Sequence, residues 1–313
     1  MTKDLTNIIK DGFELWKKNL ILGAPPLLNC IISSVLGFGF LMIMLFAVLG
    51  FGFGTGFFEN FENFENINDL IGPLITISII GGVILFFMVV IIMLINSFFT
   101  AGLIGMSKEA IETGKTEIST MIECGKRKFM SLFFADLIVA AIIFLPVILI
   151  GIISLILLAS GHIDTYNFID NSPESAVYLI MLFFVITLVW FLYALIPGII
   201  LAVVNYAVVI SDTGAVEGVK TAFRFFMDHK TDVFLMWLII MVIGLVFGAV
   251  YFMIYMVLNF IPLIGAIFSF IFQIIFYAFM AVVVTPLTAL WWSWLYLDRE
   301  GMCDKYSEFS GKI

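Results

Sequence analysis

The chain has 313 residues, of which 63% are hydrophobic and 12% charged. An average soluble domain is about 45–50% apolar and about 25% charged, so a water-soluble globule of this size could not hide the apolar surface, and the solvent for most of the chain must be lipid. The formal charge of −8 excludes a nucleic-acid partner, which needs a concentrated basic face.

At the N-terminus, Leu5, Ile8, Ile9, Gly12, Phe13 and Trp16 stand at i, i+3, i+4, i+7, i+8 and i+11, the apolar stripe of an amphipathic helix. The apolar run that begins at Leu20 continues to about Phe58. That is far beyond the 7–15 residues of a cleavable signal core, so it reads as a first membrane anchor.

A hydrocarbon core of about 30 Å takes about 20 helical residues at 1.5 Å each. Six apolar runs reach that length, roughly 24–54, 71–104, 131–159, 176–210, 233–260 and 263–297. Pro146, Pro197 and Pro286 fall inside runs and predict kinks. Gly50, Gly52, Gly54 and Gly56 follow a membrane helix and lack the βαβ context of a dinucleotide fingerprint. In the connection after the first run, Phe58-Glu59-Asn60 is followed by two more Phe-Glu-Asn triplets and then Asp69. A solvated loop with an interfacial aromatic edge accounts for it; a cation site formed by Glu59, Glu62, Glu65 and Asp69 is the sharper alternative.

All fifteen basic residues fall in four segments: before the first run, between runs two and three, between four and five, and after six. The alternate connections, about 55–72, 160–175 and 260–263, contain none. The positive-inside rule places both termini and the basic loops in the cytoplasm of a multi-pass cell-membrane protein.

The segments before runs one, three and five share a pattern. Ile118, Met121, Ile122, Gly125 and Phe129 repeat the N-terminal stripe, with Lys126 interrupting it, and Ala215, Gly218, Val219, Ala222, Phe223 and Phe226 repeat it again. A small residue (Gly12, Gly125, Ala222) precedes an aromatic (Trp16, Phe129, Phe226) by four positions in each copy. The expected fold is therefore an all-α polytopic membrane bundle: six transmembrane helices, three cytoplasmic interfacial amphipathic helices and a threefold internal repeat. It forms a single membrane domain over 1–313, with units of about 1–110, 111–212 and 213–313. Repeats of this kind occur in transporters and in other bundles.

Asp136 is the acidic residue well inside an apolar run. A charge at a helix centre costs about 2.5–3.5 kcal/mol on insertion scales, which makes it a candidate polar site. Lying eight residues after Lys128, it can also be a junction residue that caps or pairs locally. Asn29, Asn96, Asn205 and Gln273 are the remaining strong hydrogen-bonding groups in the runs, and such amides more often join helices than contact a substrate. Gly244 and Gly248 form a G-x-x-x-G, read as close packing within the bundle ahead of a dimer seam. Trp291, Trp292, Trp294 and Tyr296 read as an aromatic belt at the inner headgroups.

Cys30, Cys124 and Cys303 have no C-x-x-C spacing, and His162 and His229 fall on opposite sides of the membrane. No metal site, cofactor or acid–base pair is expected from these residues. Twelve lysines against three arginines, with abundant Ile, point to an AT-rich prokaryotic genome.

The ending Leu295-Tyr296-Leu297-Asp298-Arg299-Glu300-Gly301, with Asp304, resembles that of the membrane domain attached to some glycerophosphodiester phosphodiesterases and of related free-standing prokaryotic six-helix proteins. Pro197-Gly198 through Phe226, with Asp212 and Gly214 before a helix, resembles another region of that group. An aromatic stands near Phe225 where that group has Ser. The resemblance implies a membrane domain without catalysis of its own.

Two functions follow. The first is a non-enzymatic protein that binds membrane lipids or a membrane protein partner through its interfacial helices. The alternative is a transporter of a small or lipid-like solute. An intramembrane enzyme would need an acid–base pair or metal cluster at one depth.

Overall fold

The computed structural model describes residues 3–54, 67–159, 173–260 and 264–302. Glu59, Glu62, Glu65, His162 and Cys303 lie outside the described residues. Every regular element among the described residues is helical. In chain order these are α1 (Leu5–Lys18), a 3-10 turn (Leu20–Gly23), α2 (Ala24–Gly54), α3 (Ile67–Thr113), α4 (Ile118–Ala159), α5 (Pro173–Ile200), α6 (Val204–Ile210), α7 (Ala215–Asp228), α8 (Lys230–Asn259), α9 (Ile264–Phe279), a π-helical turn (Met280–Val284) and α10 (Thr285–Arg299).

Six stretches are long and apolar enough to cross a membrane: Leu20–Gly54, Ile75–Thr113, Ile118–Ile153, Phe183–Ile210, Lys230–Asn259 and Gly265–Arg299. They carry outward-facing side chains such as Phe183, 72% exposed, and Met253, 67% exposed. The fold is an all-α bundle of a multi-pass membrane protein, in which lipid solvates these surfaces.

The helices form two compact units. The second takes the described parts of Asp11–Met130 and Ile261–Leu290. Its core is Leu22, Phe99, Leu103, Met106, Ala110, Met121, Ala289 and Leu290, with Leu15, Trp16 and Phe98 packed against it. Glycines allow α3 and α4 to close on each other. A Cβ on Gly102 would stand 2.6 Å from Met121 Cγ, and one on Gly125 would stand 2.8 Å from Phe98.

The turn joining α3 to α4 has Gly114 at φ 79°, and its N–H donates to Ala110 O over 2.9 Å, a left-handed helix stop that glycine adopts without strain. The buried Asn19 clasps this turn. Its Nδ2 donates to Gly114 O and Leu15 O, each over 3.0 Å, and its Oδ1 accepts from Thr116 N over 3.2 Å. Glu109 Oε2 accepts from both Thr116 Oγ1 and Thr120 Oγ1 at 2.7 Å.

The first unit takes the described parts of Met1–Lys10, Ser131–Phe260 and Trp291–Ile313. The turn between α6 and α7 puts Asp212 at φ 58°, a left-handed conformation that Asp tolerates better than most residues. Thr213 Oγ1 donates to Ala207 O over 3.1 Å. Gly218 then lets α7 lie directly on α6, where an added Cβ would collide with Val208 Cγ2. Phe225 is 1% exposed, with its ring 5.0 Å from Tyr296 and 5.0 Å from His229.

Three expectations change. The segment 118–129 is not a separate interfacial helix: it forms the first turns of α4, which runs unbroken into the membrane. By contrast α1 is interrupted, because Pro25 and Pro26 cannot donate N–H groups to the preceding turn and the chain passes through a 3-10 turn. In α4 no proline stands before Pro146, well inside the span. The buried register also differs: Gly218, Ala222 and Phe225 line the inner face of α7, whereas Phe223 is 50% exposed, because Phe225 is the side chain that meets Tyr296. Finally, a Cβ added at Gly244 or Gly248 would meet no neighbouring element within 4 Å, since both lie on an exposed face of α8, so close packing within the chain occurs at Gly102, Gly125 and Gly218 instead.

Gly218→Ala is expected to cost about 1–3 kcal/mol through overpacking, measured as thermal unfolding in mild detergent. In a Val208→Ala background the same change should cost clearly less, because the colliding methyl is gone.

Candidate functional site

Proline in a helix removes one N–H and leaves the carbonyl four residues earlier without its partner. Within lipid no water replaces that partner, so another protein group must. Pro146 frees Ile142 O, which accepts from Tyr193 Oη over 3.0 Å; one residue on, Ile143 O accepts from Trp190 Nε1 over 3.1 Å. The Trp190 indole stacks on Phe144 with centroids 5.4 Å apart.

Pro286 frees Val282 O in the same way. The helix there widens into the π-helical turn Met280–Val284, and Val282 O accepts from Trp16 Nε1 over 3.2 Å. Thr285 Oγ1 donates to Met280 O over 3.0 Å. A Cβ on Gly23 would stand 3.1 Å from Val282 Cα, so glycine is what allows the chain to approach this turn. π turns of this kind are frequent at functional positions.

The densest polar cluster lies at the end of α10. Arg299 and Asp298 side chains are 9% and 6% exposed, and the two are paired. Arg299 Nε donates to Asp232 Oδ2 over 2.7 Å, and both terminal guanidinium nitrogens donate to Lys3 O over 3.2 Å. Lys3 N donates in turn to Asp298 Oδ2 over 3.1 Å, and its ammonium sits 4.5 Å from the centroid of the Trp294 ring, a cation–π distance. Asp232 also lies in the first turn of α8, where a negative charge suits the helix dipole.

The helix stops just beyond this cluster. Gly301 at φ 67° lets Met302 N donate to Leu297 O over 2.9 Å and Gly301 N to Asp298 O over 3.3 Å, the Schellman pattern. Tyr296 Oη and Ser211 Oγ are 2.7 Å apart, and Trp291 Nε1 donates to Ile9 O over 3.1 Å. With all three guanidinium nitrogens engaged, the cluster ties chain ends together and presents no open cation.

Of the sequence candidates, Asn29 and Asn96 come together: Asn29 Nδ2 donates to Asn96 Oδ1 over 3.0 Å, and Ser33 Oγ to Asn29 Oδ1 over 3.3 Å. They belong to the second unit with Gln273, whose Nε2 donates to Tyr277 Oη over 3.5 Å along its own helix. Asp136 and Asn205 are half-buried in the first unit, and Asp136 takes part in a polar or charge interaction there. Trp16, Phe129 and Phe226 are each half-buried. Beside Phe129 the residue turned fully inward is Lys128, 7% exposed and likewise engaged.

The sequence reading missed Trp190, Tyr193, Asn19, Glu109 and the Arg299–Asp232 pair. The prolines mark which carbonyls need a donor, and the Asp298-Arg299 dipeptide stood in the family-like ending, but spacing in sequence does not reveal the partners. Among the described residues no three His, Cys, Asp or Glu side chains are placed to hold a metal ion.

Residues 89–293 match a protein family described as a domain of unknown function, DUF7847. The chain belongs to that family. The matched region holds Asn96, Phe129, Asp136, Asn205, Phe226, Gln273 and the π turn, whereas Trp16, Asn29 and Arg299 lie outside it. An uncharacterized protein of Archaeoglobus fulgidus is 24% identical over 302 residues, covering 96% of this chain and 97% of its own length. No solved structure matches the chain.

Trp16→Phe keeps the ring but leaves Val282 O without a donor, at an expected cost of about 1–3 kcal/mol. Combined with Pro286→Ala, which restores a backbone N–H four residues on, the loss should shrink; a double-mutant cycle on detergent-solubilised protein reads it. Arg299→Met strands two carboxylates and should cost about 3–5 kcal/mol, read as a lower unfolding temperature. Asp232→Asn, at a carboxylate 28% exposed, should cost distinctly less.

Proposed function

We propose that this chain is a non-enzymatic integral protein of the cell membrane, with its termini and basic loops cytoplasmic, that binds lipid or a membrane partner protein through its inner-end helices. One observation carries this reading. The polar groups at these ends are closed on one another, as in the Arg299–Asp298–Asp232 cluster and the Asn19 clasp, while the outer faces of α1 and α7 keep apolar and basic residues exposed. Phe13 is 40% exposed with Lys17 Nζ 4.4 Å from its ring centroid and 3.0 Å from Glu14 Oε1, and Phe223 is 50% exposed beside exposed Lys220 and Arg224.

The confinement of all fifteen basic residues to four segments supports the orientation. The threefold repeat gains support from a shared register, with buried pairs Ile8 and Gly12, Met121 and Gly125, and Gly218 and Ala222 in the three copies. The proposed kinship with the glycerophosphodiester phosphodiesterase membrane domains rests on the Leu295–Gly301 ending with Asp304 and on the Pro197–Phe226 region.

The alternative reading is a transporter of a small or lipid-like solute. The π turn that interrupts the last span and the half-buried Asp136 favour it, since interrupted helices line binding sites in many transporters.

Native mass spectrometry of the protein extracted in mild detergent tests the choice. A stoichiometric lipid or protein adduct is the expected result. A bare chain whose solute flux in vesicles disappears with Asp136→Asn would replace it with the transporter. Sidedness is read separately: a cysteine introduced at Lys230 should react with an impermeant maleimide in inside-out vesicles and not in right-side-out ones.

A further inference from the structure

Helix α7 carries a face that the fold leaves uncovered. Its inner face, Gly218, Ala222 and Phe225, is buried. On the opposite side Val216, Lys220, Phe223 and Met227 follow one another at i, i+4, i+7 and i+11, one line along a helix. Val216 is 60%, Phe223 50% and Met227 47% exposed, and Lys220 and Arg224 are exposed along the same edge. The exposed Glu217 and Asp228 stand about 100° round the helix from this line, on the same side as Arg224, while Lys220 belongs to the line itself. Three exposed apolar side chains bordered by two cations are the composition of a helix lying in a lipid interface.

The chain's path indicates what covers this face. The spanning stretch Phe183–Ile210 ends four residues before α7, and the stretch Lys230–Asn259 begins one residue after it. Both ends of a 14-residue helix are thus fixed where spanning helices leave the bilayer, which holds α7 at headgroup level.

We propose that the outer face of α7 docks on the cytoplasmic leaflet of an anionic bilayer. Phe223, Met227 and Val216 reach the boundary of the acyl chains, and Lys220 and Arg224 bind lipid phosphate. This deepens the lipid-binding reading above and rests on it, and it singles out one helix and one class of ligand.

Nitroxide labels at Phe223→Cys, Met227→Cys and Glu217→Cys test it. The full chain, with Cys30, Cys124 and Cys303 replaced by Ala, is reconstituted in nanodiscs of equimolar phosphatidylglycerol and phosphatidylcholine. Labels at 223 and 227 should collide with oxygen severalfold more than with an aqueous nickel complex, and the label at 217 should show the reverse. Lys220→Glu with Arg224→Glu should shift the label at 223 toward water in anionic discs and leave it unmoved in pure phosphatidylcholine. Equal nickel access at 223 and 217 overturns the proposal, and means that this face meets water or a protein. A depth at 223 indifferent to the double variant in both lipids overturns it as well. Either result leaves the maleimide sidedness and the mass-spectrometric adducts intact, so it is distinguishable from failure of the broader reading.

Discussion

Inside a bilayer a backbone carbonyl has no water to bond, and this constraint organises the helices. The two carbonyls freed by Pro146 and Pro286 each meet an aromatic donor from elsewhere in the chain, Tyr193 in one case and Trp16 in the other. Each proline site is thereby closed by a tertiary hydrogen bond instead of left as a defect. The indole of Trp16 joins α1 to the π turn, and Trp190 with Tyr193 join α5 to α4. An aromatic residue serves well here because its ring packs among apolar side chains while a single N–H or O–H completes the bond.

Helix association in lipid lacks the hydrophobic drive available in water and relies on close contact and hydrogen bonds. Accordingly the tight contacts gather at the basic ends of the helices. Gly102 and Gly125 bring α3 to α4, and Gly218 brings α7 to α6. Asn19, Glu109 and Arg299 add polar ties in the same zones, where partial access to water makes a charged cluster tolerable. Further along the spans, residues such as Phe183 and Met253 face outward, so lipid is the principal neighbour there.

This division bears on function. The strongest polar groups are engaged in holding the fold, and what they leave available are surfaces: amphipathic helix faces with aromatic and basic residues beside the spans.

The sequence by itself determined the solvent, the six spans, the distribution of charge and the carbonyls that prolines leave without a donor. Each of these follows from composition or local spacing: a run of about 20 apolar residues spans lipid wherever it occurs, and Pro146 and Pro286 free a carbonyl whatever surrounds them. Tertiary structure alone decided that Phe225 and not Phe223 turns inward, that 118–129 fuses with α4, that Gly244 and Gly248 stay open, and that Arg299 pairs with Asp232 67 residues away. An amphipathic pattern fixes a face only to within about a third of a turn. Which residue of that face is buried depends on the ring, glycine or carboxylate that another helix brings to it.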